Sequence, residues 1–200
     1  TNLDVLAVNL QENNDRCPIN YIIPPGVQQE QLYSGNSVIN QNEQSLSLRV
    51  SGDGLEPGDS RAVFKNVSVD MRQFNKLKMF LHAESLPNEI ALSDDQMVGF
   101  IRFGNDFTQN FYQIEIPLKV TIPSTTSGSN CGPLSAEVVW PAENEIDLSL
   151  ALLTDMKINK PKDALDIYYP DDDINIPGDP DMRDGNDKLR LGIRGNTNYG

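Results

Sequence analysis

Long hydrophobic runs are absent from this 200-residue sequence, whose uninterrupted apolar stretches are only a few residues long. A transmembrane helix needs about 20 apolar residues, so none is expected, and the N-terminus does not have the pattern of a signal peptide. Basic residues are also few: 16 Lys and Arg against 29 Asp and Glu give a net charge of −13. A nucleic-acid binder needs a cationic face, so we expect no nucleic-acid partner.

Cysteine and histidine are scarce, with only Cys17, Cys131 and a single histidine. The two cysteines lie 114 positions apart and have no Cys neighbour at metal-site spacing, which argues against a zinc cluster. In an oxidising compartment they can form one disulfide, worth roughly 4–5 kcal/mol in the chain-entropy model. Two unpaired, buried thiols are the alternative.

Catalytic motifs are missing as well. The sequence contains no Gly-rich phosphate loop, no G-x-S-x-G elbow and no H-E-x-x-H helix. Acidic pairs such as Asp94 with Asp95 are the residue type that glycosidases use, but acids are common in loops and nothing marks these as desolvated. We therefore expect a protein that is not an enzyme.

What the sequence does contain is apolar residues at every second position, the pattern of half-buried antiparallel strands. Turn-forming segments separate these runs, and helical signal is limited to single turns at 70–74 and 151–157. The pattern predicts a mostly β fold, an antiparallel β-sandwich with one or two short helical turns. The predicted strands are 4–10, 44–50, 62–69, 76–83, 97–103, 111–120, 136–140, 145–150 and 189–194.

We interpret the chain as a single domain. Residues 1–44 form an N-terminal arm with the first strand, and residues 45–200 form the sandwich, interrupted by an acidic loop at 161–187. The side chains expected to lie largely inside are Phe64, Leu77, Met79, Phe80, Leu81, Phe100 and Trp140.

The acidic loop carries most of the negative charge, with nine aspartates and one cation, Arg183, between positions 163 and 187. Calcium takes six to eight oxygen ligands at adaptable distances, and loops rich in aspartate and glycine supply them. Four aspartates are candidate calcium ligands here, with the alternative that the loop is simply a solvated acidic segment. They are Asp179, Asp181, Asp184 and Asp187.

Seven aromatic residues offer a second candidate site, a platform on which sugars stack. The alternative is that most of these rings belong to the core of the sandwich. They are Phe103, Phe107, Phe111, Tyr112, Trp140, Tyr168 and Tyr169.

Several long phrases of the sequence resemble one known family. These are DRCPINYIIPPGV (15–27), NEQSLSLRV (42–50), GDSRAVFKNVSVDMRQFNKLKMFLHAES (58–85), GFIRFGNDFTQNFYQIEIPLKVT (99–121) and VWPAENEIDLSLALLTDMK (139–157). Together they resemble the SprA/Sov family, the very large outer-membrane translocon of the type IX secretion system, which also supports gliding motility.

This resemblance implies that the chain is a piece of a far longer polypeptide that forms a giant β-barrel. It implies a soluble structural or interaction domain at the outer membrane, facing the cell exterior or the periplasm. The implied partners are the rest of the parent barrel chain, secreted cargo proteins and accessory secretion subunits.

A weaker resemblance concerns the fold. The order of strands and turns resembles galactose-binding jelly rolls, which implies about eight strands. It also implies that the final strand is clipped, which would leave one sheet edge open. The alternative function that follows is a carbohydrate-binding module with a structural calcium.

Overall fold

The computed structural model describes residues 1–34, 37–87, 89–123, 132–170 and 189–195. Contacts within the chain divide it into two compact units. Unit 1 comprises Thr1–Val69 and Pro123–Val139, and unit 2 comprises Asp70–Ile122 and Trp140–Gly200. The predicted boundary at residue 44 and the single-domain organisation stay predictions.

Unit 1 consists of antiparallel ribbons and short helices. Its described elements are β1 (Asn2–Asn9), α1 (Leu10–Asn13), β2 (Gln31–Ser34), β3 (Ser37–Asn40), β4 (Gln44–Ser51) and α2 (Ala136–Val139). β1 pairs with β4 and β2 pairs with β3, so each ribbon has two strands. Helix α1 begins directly after β1 because the Asn9 side chain accepts a hydrogen bond from the Glu12 N–H at 2.9 Å, which caps the helix.

Unit 2 contains two further antiparallel sheets and one longer helix. Its described elements are β5 (Lys76–Phe80), β6 (Val98–Gly104), β7 (Phe111–Pro117), β8 (Glu145–Ser149), α3 (Leu150–Asn159) and β9 (Arg190–Arg194). β5 pairs with β8, and β7 lies between β6 and β9 in a three-stranded sheet. Single turns of 3-10 helix precede β5, at Met71–Gln73, and β8, at Ala142–Asn144.

The core of unit 2 draws on both of its sheets and on α3. The central strand β7 contributes Ile114 and Ile116, which are fully buried, and β8 contributes Ile146 and Leu148. These residues alternate along their strands, as predicted from the sequence. The other buried members are Ala83, Leu118, Leu152, Leu153, Met156, Leu189, Leu191 and Ile193.

Two predicted strands are wrong. Residues 62–69 form neither helix nor strand, although their sequence favours a strand. Residues 136–140 contain helix α2 instead, because the Ser135 carbonyl accepts hydrogen bonds from the N–H groups of Val138 and Val139, which closes a helical turn locally.

The predicted interior is confirmed only in part. Trp140 is buried, and its ring meets Phe80 edge-on with centroids 6.5 Å apart. Leu77, Phe80, Leu81 and Phe100 are half-buried. Phe64 and Met79 are exposed, which corrects the prediction for both residues: Phe64 lies in the segment that forms no strand, and Met79 lies on a two-stranded sheet.

The mostly β, antiparallel prediction is confirmed, with few helices. The described strands form four small open sheets of two or three strands, none of them closed into a barrel. The jelly-roll sandwich therefore stays a prediction.

Candidate interaction surface

The β1–β4 ribbon presents an apolar face to solvent. In an antiparallel pair, residues directly opposite each other share one face. Val5 lies opposite Leu48, and Ala7 lies opposite Leu46, so these four side chains line one face together. Leu46 is 62% exposed and Leu48 is 45% exposed. We call this face, with Leu3 and Val50 at its far end, the apolar ribbon face.

The opposite face of the ribbon is more polar, yet its serines are less exposed. Ser45 and Ser47 are half-buried. The Tyr21 hydroxyl hydrogen-bonds Ser45 Oγ at 2.8 Å and donates to the Glu43 carboxylate. Burial, together with the hydrogen bond to Glu43, raises the pKa of Tyr21 to about 12. Along β4, Leu46 and Leu48 are therefore exposed, whereas the serines that alternate with them are half-buried.

The predicted strand at 44–50 is correct, but its buried face is not. The alternation of Leu46, Leu48 and Val50 predicts the shared face and says nothing about what covers it. In unit 1 this face is largely exposed, so the expectation of a half-buried strand is wrong for Leu46 and Leu48.

The β2–β3 hairpin is a second exposed apolar element that the sequence analysis missed. Leu32 lies opposite Ile39 on one face, and Tyr33 lies opposite Val38 on the other. All four side chains are exposed. The available signal was the Gly35-Asn36 dipeptide between two short apolar pairs, a known hairpin pattern. Contiguous exposed apolar side chains of this kind mark interaction sites in soluble domains.

A polar network covers the face of β7 that points away from the core of unit 2. At its centre, Gln113 is buried, and its Oε1 accepts a hydrogen bond from Arg102 Nε at 2.8 Å. Gln113 Nε2 donates to the Tyr169 hydroxyl at 3.2 Å and to Glu115. The Tyr169 hydroxyl donates to Glu115 Oε1 at 2.5 Å. The polar atoms in this network therefore satisfy one another.

Two arginines stack on aromatic rings beside this network. The Arg102 guanidinium lies 3.9 Å from the Phe111 ring centroid, and the Arg190 guanidinium lies 3.7 Å from that of Tyr169. Burial, followed by the hydrogen bond to Glu115, raises the pKa of Tyr169 to about 12. Stacked guanidinium groups and a tyrosine that stays protonated hold the sheet face together. We interpret this cluster as structural.

The predicted aromatic platform is divided between the two faces of the three-stranded sheet. Phe103 and Tyr112 lie opposite each other on the core side, with ring centroids 5.7 Å apart. Phe111 and Tyr169 lie on the other side, within the polar network. The arrangement gives no support to a sugar-binding platform, and the carbohydrate-binding alternative stays unsupported.

The predicted calcium ligands Asp179, Asp181, Asp184 and Asp187 lie outside the described residues. Within the described ranges, no group of three or more His, Cys, Asp and Glu side chains is arranged to hold a metal ion. Calcium at the four aspartates therefore stays a hypothesis.

The predicted disulfide also falls partly outside the described residues. Cys17 is disulfide-bonded, whereas Cys131 lies outside the described residues, so the pairing stays a prediction.

Comparison with known protein families identifies the family to which the chain belongs. The family SprA_N, described as a motility related/secretion protein, matches residues 1–198. The chain belongs to this family. The resemblance carried by the phrases between 15 and 157 is confirmed, and the family covers nearly the whole sequence. No curated protein matches the chain.

Membership makes the chain a motility- or secretion-related protein. Among the helices that the structure describes, none is long and apolar enough to cross a membrane. The open apolar ribbon face in unit 1 is the feature of this family member that most resembles a site for another polypeptide.

Proposed function

We propose that this chain is a non-enzymatic interaction domain of an outer-membrane protein-export channel, the type IX secretion translocon that also serves gliding motility. Its membership of a motility- and secretion-related family supports the proposal. The observation that carries it is the apolar ribbon face, on which Val5, Leu46 and Leu48 are all exposed to solvent.

The proposed partners are the rest of the parent barrel chain, secreted cargo and accessory secretion subunits. The domain would act at the outer membrane, facing the cell exterior or the periplasm. A passive role is supported by the polar network on β7, whose polar atoms bond to one another and so hold a sheet together.

The energetics favour coverage of this face. Burying a fully exposed leucine contributes about 1.5–3 kcal/mol. With Leu46 62% exposed and Leu48 45% exposed, each should contribute roughly 1–2 kcal/mol when a partner covers it. Two such residues would account for a loss in affinity of ten-fold or more on substitution.

The test is site-specific photo-crosslinking from position 46, on the same face as Leu48, in the full-length channel while cargo is in transit, with secretion measured in parallel. Leu48→Glu should abolish the crosslinks and reduce secretion. Leu6→Glu is the matched control, because Leu6 is a similarly exposed leucine on the opposite face of the same ribbon. Equal secretion and crosslinking in both variants would refute the proposed docking face.

We also propose that Cys17 and Cys131 are joined. In support, Asn20 Oδ1 accepts a hydrogen bond from Leu134 N at 2.8 Å, and these two residues each follow a cysteine by three positions. Reduction should then lower the free energy of unfolding by up to about 4–5 kcal/mol. Mass spectrometry of a non-reduced digest checks the linkage directly, and separate Cys17 and Cys131 peptides would disprove it.

A further inference from the structure

The β2–β3 hairpin differs from the apolar ribbon face because both of its sides are apolar. Leu32 and Ile39 lie opposite each other on one side, and Tyr33 and Val38 lie opposite each other on the other. Each of these four side chains is at least half exposed, and Tyr33 is 76% exposed. A surface that docks on a partner protein needs only one apolar side, whereas a hairpin that enters a lipid surface is covered on both sides at once.

The hairpin also carries no charge. Residues 31–42 contain no Asp, Glu, Lys or Arg, although these residue types make up 22% of the sequence. The β1–β4 ribbon, by contrast, has Asp4 opposite Arg49 on its more polar face. Placing a charged side chain in hydrocarbon is costly, so the absence of charge suits contact with lipid and offers no ion pair to a protein.

The hydroxyl of Tyr33 is held towards the base of the hairpin. It donates to Gln31 Oε1 at 3.2 Å, and Gln31 Nε2 donates to Asn40 Oδ1 at 3.2 Å. Gln31 and Asn40 form the strand pair farthest from the turn. The polar end of the tyrosine therefore lies away from the tip, as it does in tyrosines at a membrane–water interface, where the ring contacts lipid and the hydroxyl contacts water.

We propose that the β2–β3 hairpin inserts into the surface of a lipid bilayer. This inference goes beyond the proposed function, because the ligand is lipid and not a polypeptide. Each strand has four residues, which span about 13 Å. The described sheet has only these two strands, so its outer main-chain edges need water or headgroups as partners. Insertion is therefore shallow, to the boundary of headgroups and acyl chains about 5–10 Å deep.

The size of the hairpin favours lipid over a protein partner or a second copy of the chain. A stable protein interface buries about 800 Å² on each partner, whereas four side chains that are a little over half exposed offer roughly 400–500 Å². A bilayer needs no complementary slot, because binding scales with the apolar area that enters it. Two copies of the chain would also repel each other, since each has a net charge of −13.

The test is co-sedimentation of this chain with phosphatidylcholine vesicles. We expect reversible binding, with half of the protein bound at roughly 0.1–1 mM lipid. Leu32→Asp and Val38→Asp place a charge on either side of the hairpin, and each should weaken binding by about ten-fold or more. Leu48→Asp is the matched control, because Leu48 is an exposed leucine on the apolar ribbon face, and it should bind as the wild type does. All three positions are exposed, so the melting temperature should not change.

Tyr33→Trp gives a readout of insertion that does not depend on a loss of binding. Phosphatidylcholine with brominated acyl chains should quench the fluorescence of the added tryptophan. The same vesicles should leave the wild type unquenched, because its single tryptophan, Trp140, is buried.

No binding over this range of lipid, or an equal loss in Leu32→Asp and Leu48→Asp, would overturn the inference. Stronger binding to phosphatidylglycerol vesicles that salt weakens would identify an electrostatic site and would also overturn it. Dimers that Leu32→Asp dissociates would do the same, because a second copy would then cover the hairpin. The vesicle assay contains neither channel nor cargo, so its failure is distinguishable from failure of the proposed docking face.

Discussion

Asn144 allows the sharpest test of how unit 2 is held together. Its side chain is 1% exposed and pairs with the main chain of Lys119 in the manner of a neighbouring strand. Asn144 Oδ1 accepts from the Lys119 N–H at 2.7 Å, and Asn144 Nδ2 donates to the Lys119 carbonyl at 2.9 Å. The amide thereby joins the start of β8 to the chain that leaves β7.

Replacing Asn144 by Asp changes one atom in this arrangement. One carboxylate oxygen still accepts from Lys119 N–H, but the other faces the Lys119 carbonyl, where a donor stood before. A lost hydrogen bond costs about 1 kcal/mol, and a buried polar group without a partner about 1–3 kcal/mol more. We expect Asn144→Asp to lower the free energy of unfolding by roughly 2–4 kcal/mol at neutral pH.

The loss should depend on pH with a definite sign. Burial and the facing carbonyl would raise the pKa of the new carboxyl in the folded chain above its unfolded value of about 4. The folded state then binds more protons than the unfolded state between these two pKa values, so stability falls as the pH rises. The deficit relative to wild type should shrink towards about pH 4, where a protonated carboxyl donates to the Lys119 carbonyl.

Urea unfolding followed by the fluorescence of Trp140, the single tryptophan, reports on the unit that contains Asn144. The exposed Asn75 supplies a control, since Asn75→Asp makes the same chemical change at the surface. Equal midpoints for wild type and Asn144→Asp at neutral pH, or a deficit that is constant with pH, would refute the role assigned to this amide.

Three further predictions follow from burial and from the pKa shifts. Trp140→Ala should lower the free energy of unfolding by about 3–5 kcal/mol. Phe64→Ala is the control and should have little effect, because the Phe64 ring is 74% exposed. Soluble Trp140→Ala protein with an unchanged melting temperature would contradict this prediction. The pKa of both Tyr21 and Tyr169 is raised to about 12, so the folded chain keeps protons that an unfolded chain loses near pH 10, and stability should fall between about pH 10 and 12. Phenolate absorbance checks the titration, and Tyr169→Phe should make the fall shallower. The calcium hypothesis predicts that a chelator lowers the melting temperature through Asp179, Asp181, Asp184 and Asp187; unchanged melting would remove it.

The five strands that the structure describes in unit 2 were predictable from alternation. β7 and β9 were both expected, and Ile114, Ile116 and Leu191 are buried as their spacing indicated. Residues 62–69 show the limit of the same rule. Val63, Val67 and Val69 lie at alternating positions there as well, but a strand needs a ladder, and sequence spacing carries no information about where the neighbouring strand is.

The candidate interaction surface was only half predictable. Alternation identified the shared face of Leu46 and Leu48, but its exposure depends on what packs nearby, which a local pattern does not encode. The burial of the polar face of β7 was not predictable either, because a distant segment covers it. Alternation places Gln113 and Glu115 on the face opposite Ile114 and Ile116, and a segment more than 50 residues later brings Tyr169 over that face. Asn144 gave no signal in the sequence, since its role depends on a distant main chain.

The order of strands in unit 2 has a consequence for how the chain is made. β7 ends at Pro117, while β9, which covers its second edge, begins 73 residues later at Arg190. At synthesis rates of about 5–20 residues per second, the backbone of β7 stays uncapped on that side for roughly 4–15 s. A nascent chain with Ile114 and Ile116 beside an incomplete edge is a natural client for holding chaperones. Ribosome-bound nascent chains that end before β9 should therefore stay bound to chaperones longer than nascent chains that include β9.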